Sequence, residues 1–135
     1  MSNVFPRQIT NPPIKAVSSD GCYIIDENGK QYFDGSGGAA VSCLGHGDPD
    51  VIKAVQDQTS KMAFAHTGFF SSDPAEELAE LLIDNAPGEL DRVYFVSGGS
   101  EAIEAAIKLA RQFHIENGEP SRHHIIARKQ SYHGN

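Results

Sequence analysis

Apolar and polar positions change period several times along the 135-residue chain, and each change predicts an element. From Lys15 to Asp34 short strand-like runs dominate. Cys22-Tyr-Ile-Ile-Asp26 and Lys30-Gln-Tyr-Phe-Asp34 flank Glu27-Asn28-Gly29, and Asn-Gly between two such runs predicts an antiparallel hairpin. Val51, Ile52, Val55 and Met62 then recur near helical spacing. They predict a helix from Pro49 to about Ala63, with Asp48 as its N-cap. A second helix is expected from Asp73-Pro74, capped by Asp73. Leu78, Leu81 and Leu82 form its buried face, and it stops near Pro87-Gly88. Arg92-Val-Tyr-Phe-Val-Ser97 has the length and apolarity of a buried strand. A helix follows from Ser100 to about Glu116, with Ile103, Ile107, Ala110 and His114 along one side. Glu104 and Lys108 form an i,i+4 pair on its polar side. His123 to Arg128 reads as another buried strand, so the unit is strand, helix, strand with a right-handed crossover.

Three stretches carry no period. Pro6, Pro12 and Pro13 forbid helix in the first dozen residues, which read as an extended arm. Gly35 to Gly47 is rich in small residues, and Phe64 to Ser72 is a loop holding three Phe, a His and a Gly.

Composition narrows the function classes. Apolar residues make up 39% and charged residues 21%, an ordinary globular balance. The net charge of −7 comes without any Lys/Arg run, which argues against a nucleic-acid partner. No apolar stretch approaches a membrane span and the start has no signal-peptide core, so cytosol is the expected compartment. Cys22 and Cys43 read as reduced thiols in buried-looking contexts. No metal spacing is found among the His and Cys residues. His123 and His124 are neighbours and would point to opposite faces of a strand. Gly35-x-Gly37-x-x-Ala40 formally fits a dinucleotide fingerprint, but no long amphipathic helix follows it.

In parallel α/β sheets ligands bind beyond the carboxyl ends of the strands. Ser97-Gly-Gly-Ser-Glu101 and Gln130-Ser-Tyr-His-Gly-Asn135 both stand at such ends. In the first, the glycines allow close backbone approach, Ser100 offers a hydroxyl, and the following helix start favours an anion. The same residues also suit a simple turn with Ser100 as helix cap, and the local pattern leaves both readings open. Glu101 would oppose a phosphate unless it points away. Tyr132 could stack on a planar ring, with His133 beside it to hydrogen-bond; a surface aromatic and a solvated His are the alternatives.

Taken in order, these motifs resemble the class III (omega-type) aminotransferases of pyridoxal-phosphate (PLP) fold type I. The resemblance rests on Ser97-Gly-Gly-Ser-Glu-Ala102 followed by helix, strand and Ser131-Tyr-His-Gly134. It rests equally on Tyr32-Phe-Asp-Gly-Ser-Gly-Gly-Ala-Ala-Val-Ser-Cys-Leu-Gly-His46 with Asp48-Pro49, and on Phe69-Phe-Ser-Ser-Asp-Pro74. It covers essentially the whole chain. It implies an α/β fold in which residues 1–70 form an arm, hairpin and helix of a small domain, and 71–135 begin the large PLP-binding domain. It implies that Gly99 and Ser100 hold the PLP phosphate and that Tyr132 stacks on the pyridine ring with His133 beside it. Phe69, Phe70 and Ala39 would border the substrate pocket, with Gly38 next to Ala39 and the Phe pair near a homodimer boundary. Where members often have Ser-Gly-Ser or Thr-Gly-Ser, this chain has Gly98-Gly99-Ser100, one hydroxyl fewer.

The reaction implied is transfer of an amino group between an amine or amino acid and a 2-oxo acid. Other PLP fold type I reactions (aminomutase, decarboxylase) and a non-catalytic phosphate-binding or structural domain are the alternatives. No catalytic residue is assigned within the chain. The family's Schiff-base Lys and pyridine-nitrogen Asp lie downstream of the Tyr-His-Gly motif, and all six lysines here read as surface charges. The chain is therefore expected to be an N-terminal fragment, inactive alone and prone to associate, since two parallel strands leave apolar faces uncovered.

Overall fold

The computed structural model of the chain describes residues 3–132. The chain divides into two compact units, Met1–Phe70 and Ser71–Asn135.

The first unit is built on a three-stranded antiparallel sheet of order β1-β2-β3, with β1 at Ala16–Asp20, β2 at Tyr23–Asp26 and β3 at Gln31–Phe33. Tyr23 faces Phe33 and Ile25 faces Gln31 across the hairpin, and a register shift interrupts β1 between Ala16 and Ser18. Two features close the hairpin turn. Gly29 takes φ +79°, which costs glycine little. Asp26 Oδ1 accepts from the backbone N–H of Asn28 (2.8 Å) and of Lys30 (2.9 Å), while Tyr32 donates to Oδ2 at 3.1 Å. Asp26 is only 5% exposed and is the one buried residue among those described. Burial alone would raise its pKa. The donors from Lys30, Asn28 and Tyr32 outweigh that and hold it below the ordinary value.

Beyond β3 the chain makes a four-residue turn, α1 (Gly37–Ala40), whose handedness is unusual. Gly37, Gly38, Ala39 and Ala40 have φ of +55°, +59°, +60° and +70°. A left-handed turn is open to glycine but strained for alanine, by about 1–2 kcal/mol per residue. The N–H groups of Val41 and Ser42 both donate to Gly37 O and close it. A helix α2 follows at Pro49–Lys61, where Asp48 accepts from the N–H of Asp50 and Val51, as the sequence predicts.

The second unit holds α3 (Asp73–Asp84) and α4 (Gly99–Glu116). The cap of α3 is Ser72, one residue before the expected Asp73. The Ser72 backbone is extended and its carbonyl already accepts from Ala75 and Glu76. The helix ends at Asp84 with Asn85 as its C-cap, near the expected stop at Pro87-Gly88. Helix α4 carries the expected Glu104–Lys108 pair at 2.9 Å. It ends where Gly118 takes φ +73° and Glu119 N–H donates to His114 O.

Two expected strands are absent. Arg92–Ser97 and His123–Arg128 have no strand pairing among the described residues. A strand exists only with a partner ladder, and neither segment finds one. Their apolar side chains stay exposed, Tyr94 and Ile126 most of all. Nor does any helix have a buried face: no described hydrophobic residue is buried, including Leu78, Leu81, Leu82, Ile103 and Ile107. The accessible surface is 12370 Å². A compact chain of this mass exposes roughly 6,900 Å², and two separate half-size globules roughly 8,300 Å². The apolar stripes read from the sequence are present on the helices and lie uncovered among the described residues. Cys22 and Cys43 are likewise exposed, and both are free thiols.

Candidate functional site

The start of α4 brings together two of the candidate residues of the second unit, Ser100 and Tyr132. Gly98 caps it with extended backbone, at φ −172° and ψ 171°, and no side chain caps the first turn. The helix begins at Gly99 rather than Ser100. Neither glycine is demanded by the chain's own atoms: extended backbone suits any residue, and a Cβ on Gly99 would meet nothing within 4 Å. An 18-residue helix therefore presents uncapped N–H groups and an unobstructed backbone at its positive end.

Tyr132 lies against the same point. Its hydroxyl is 3.1 Å from Ser100 Oγ, across 32 positions of sequence. Its ring is 80% exposed, leaving a face free. Ser100 and Tyr132, expected as phosphate and ring contacts, are thus neighbours in space. His133 lies outside the described residues. Glu101 does not point wholly away: its Oε2 lies 3.6 Å from where a Cβ on Gly98 would stand. Glu101 is exposed, so its side chain is not held in that position by packing. An oxyanion with a planar aromatic ring attached suits this set of groups, and PLP has both parts.

The opposite end of α4 has a different character. A cavity of about 480 Å³ is lined by Arg111, His114, Arg122, His123 and His124 among others. Arg111 Nη1 is buried there without a hydrogen-bond partner among the described residues. Glu119 takes both His114 Nδ1 (2.8 Å) and Arg122 Nε (3.3 Å). The rings of His123 and His124 lie against each other at a tilt of 40°, centroids 4.3 Å apart. They do not point to opposite faces, because their segment is not a paired strand. No group of residues able to hold a metal ion occurs among the described residues.

The residues expected at the substrate pocket belong to the first unit. Phe69 and Phe70 are exposed, and both backbone N–H groups donate to His66 O at 3.0 Å. The Phe69 ring tilts against His66, centroids 5.3 Å apart. Gly38 and Ala39 form the middle of the left-handed turn α1. No hydrogen bond or ring contact joins Ala39 to the Phe pair among the described residues.

Sequence reading missed the group that holds this turn. Asp34 Oδ1 accepts from Gly37 N–H (3.0 Å) and Ser36 Oγ (3.3 Å); Oδ2 accepts from Ser42 Oγ (3.1 Å) and lies 2.9 Å from His46 Nε2. The two side chains of the Asp34–His46 pair are only 11% and 21% exposed. The hydrogen bonds from His46 and then Ser42 hold the Asp34 carboxyl below its ordinary pKa, against the opposing effect of burial. Paired backbone bonds between Gly21 and His46 (2.9 and 2.7 Å) tie the far end of the loop to the sheet. The available signal was two polar residues bracketing an aperiodic stretch, which periodicity cannot weigh.

Asp26 and Asp34 both carry lowered pKa values, so their stabilisation is complete above the ordinary 3.8 and is lost as pH falls through the lower folded values. Protection factors for the amides of Asn28, Lys30 and Gly37 are expected to fall together in that acid range. Asp26→Asn should remove the dependence at Asn28 and Lys30. Protection independent of pH there would contradict the assignment.

Residues 4–135 match the family model described as Aminotransferase class-III. An uncharacterized aminotransferase of Schizosaccharomyces pombe is 46% identical over 123 residues, covering 91% of this chain and 27% of that protein. An omega transaminase from Pseudomonas jessenii, solved in complex with PMP, superposes with a TM-score of 0.91 at 29% identity. The match covers 98% of this chain and 31% of that one. A thermostable (S)-enantioselective omega-transaminase from Thermomicrobium roseum gives a TM-score of 0.91 at 35% identity, with the same coverage. The chain thus spans about a quarter to a third of the length of the relatives it matches.

Proposed function

We propose, on the premise that this chain belongs to the class-III aminotransferase family, that the whole protein carrying it is a PLP-dependent aminotransferase. It moves an amino group between an amine or amino acid and a 2-oxo acid. The fold is that of PLP fold type I, of which this chain is a partial segment. The 1–70 portion serves as small-domain arm, hairpin and helix, and 71–135 opens the cofactor-binding domain. The observation carrying the site is the Ser100–Tyr132 contact at the uncapped start of α4.

Each residue has a separate task. The N–H groups at Gly99 and Ser100, with the Ser100 hydroxyl, bind the cofactor's phosphate and fix its position. Tyr132, whose hydroxyl lies 3.1 Å from Ser100 Oγ, would offer its exposed ring to the pyridine of the cofactor. His133, next to Tyr132 in sequence and outside the described residues, is proposed as a further cofactor contact on the family resemblance alone. Ala39, Phe69 and Phe70 shape the substrate pocket: small at the turn, apolar and aromatic at the loop. When bound, PLP supplies an electron sink for the carbon that bears the amino group. The Schiff-base lysine and the acid on the pyridine nitrogen come from outside these 135 residues. Lys108, the nearest lysine to the α4 start in sequence, is exposed and held in an ion pair with Glu104 on the helix surface.

The intact enzyme is proposed to be a cytosolic homodimer, with exposed Phe69 and Phe70 near the boundary. No helix among the described residues is long and apolar enough to cross a membrane. In the whole protein, Ser100→Ala is expected to weaken PLP retention about tenfold, the scale of one lost charge-assisted hydrogen bond. Equilibrium dialysis reads this directly, and unchanged retention would contradict the phosphate role.

A further inference from the structure

We propose that Asp34 is a positioning residue for substrate binding: its carboxylate locks the left-handed turn that presents Gly38 and Ala39. This rests on the reading that Ala39 borders the substrate pocket. Ala39 and Ala40 hold φ of +60° and +70°, a conformation that alanine leaves unless its surroundings over-determine it.

Those surroundings converge on one side chain. Four groups meet the Asp34 carboxylate: Ser36 before the turn, Gly37 at its first residue, and Ser42 and His46 after it. The loop is anchored at both ends besides. Asp34 N–H donates to Cys22 O (2.9 Å), and His46 exchanges two backbone bonds with Gly21. Within that closed frame, Gly37 is the pivot. Its N–H is held by Asp34 and its carbonyl takes Val41 and Ser42, so turn and carboxylate share a residue. The four donors take up the acceptor capacity of the carboxylate and leave none for a ligand on Asp34 itself. Its part is to fix the backbone, not to touch substrate. Losing it releases the alanines toward right-handed backbone and moves the wall of the pocket.

The test uses the whole PLP-loaded enzyme and three variants. Asp34→Ala is expected to raise KM for the amino donor about tenfold while kcat stays within about threefold, the pattern of lost ground-state binding. PLP retention should be unchanged. Asp34→Asn keeps an acceptor for Gly37 and Ser36, so its KM should fall between wild type and Asp34→Ala; it also serves where Asp34→Ala fails to fold. Adding Ala40→Gly to either variant relieves the strain Asp34 opposes and should recover much of the lost KM. A loss of stability alone would lower the melting temperature and leave the KM of the folded enzyme at its wild-type value. Unchanged KM in Asp34→Asn and Asp34→Ala, or no rescue by Ala40→Gly, overturns the inference. Ala39→Val separates the two layers. If it shifts donor preference while the Asp34 variants do nothing, only the positioning role fails. If it shifts nothing, the pocket reading fails and takes this inference with it.

Discussion

Gly99→Ala is expected to separate folding from cofactor binding, moving them in opposite directions. Gly99 is the first residue of α4, and a Cβ there meets no other atom of the chain within 4 Å. Alanine is a better helix former than glycine, by up to about 1 kcal/mol in a helix interior and less at its first residue. Stability should therefore hold or rise slightly. If the turn is where a phosphate approaches the backbone, the same methyl group stands against the ligand, and PLP affinity should fall by about tenfold or more. Differential scanning calorimetry of the apo-enzyme and a PLP titration measure the two effects. A variant that binds PLP as tightly as wild type would mean the glycine merely turns the chain.

Gly45→Ala should have the largest effect on the first unit. Gly45 sits at φ +79°, and a Cβ on it would lie 2.8 Å from the carbonyl oxygen of Gly21. That oxygen accepts the His46 N–H at 2.7 Å, so the methyl cannot be accommodated without parting the loop from the sheet. Left-handed strain plus a weakened pair of backbone bonds is worth about 2–4 kcal/mol. Hydrogen exchange at the Gly21 and His46 amides reports this locally, and both should lose protection together. Gly29→Ala is the instructive contrast. It has the same φ but nothing within 4 Å, so it carries the strain without the clash.

What the sequence made legible divides along physical lines. Local chemistry was readable: Asn28-Gly29 turned the hairpin, Asp48-Pro49 opened α2, and Glu104 paired with Lys108. Each depends on residues within four positions of one another. The left-handed turn was not readable. Two alanines at positive φ are imposed by Asp34 and its partners, and alanine itself signals the opposite. The strand patterns at Arg92–Ser97 and His123–Arg128 were apolar for a reason that lies outside the described residues, since burial needs a partner layer. The facing of His123 and His124 failed with them, because alternation holds only in a paired strand. Of the site, Ser100 and Tyr132 were anticipated and come together. The carboxylate clasp of Asp34 was missed, because hydrogen-bond convergence leaves no periodic trace.

The central claim is that this chain builds the phosphate and ring contacts of an amino-group-transferring PLP enzyme. The most direct measurement is the visible absorption of the PLP-loaded whole protein, recorded as an amine donor and then a 2-oxo acid are added. The account predicts that the bound cofactor's band is lost with the donor and returns with the acceptor, and that Ser100→Ala reaches the same band only at higher PLP. A band unmoved by any amine donor, or one equally saturable in the Ser100→Ala protein, would contradict it.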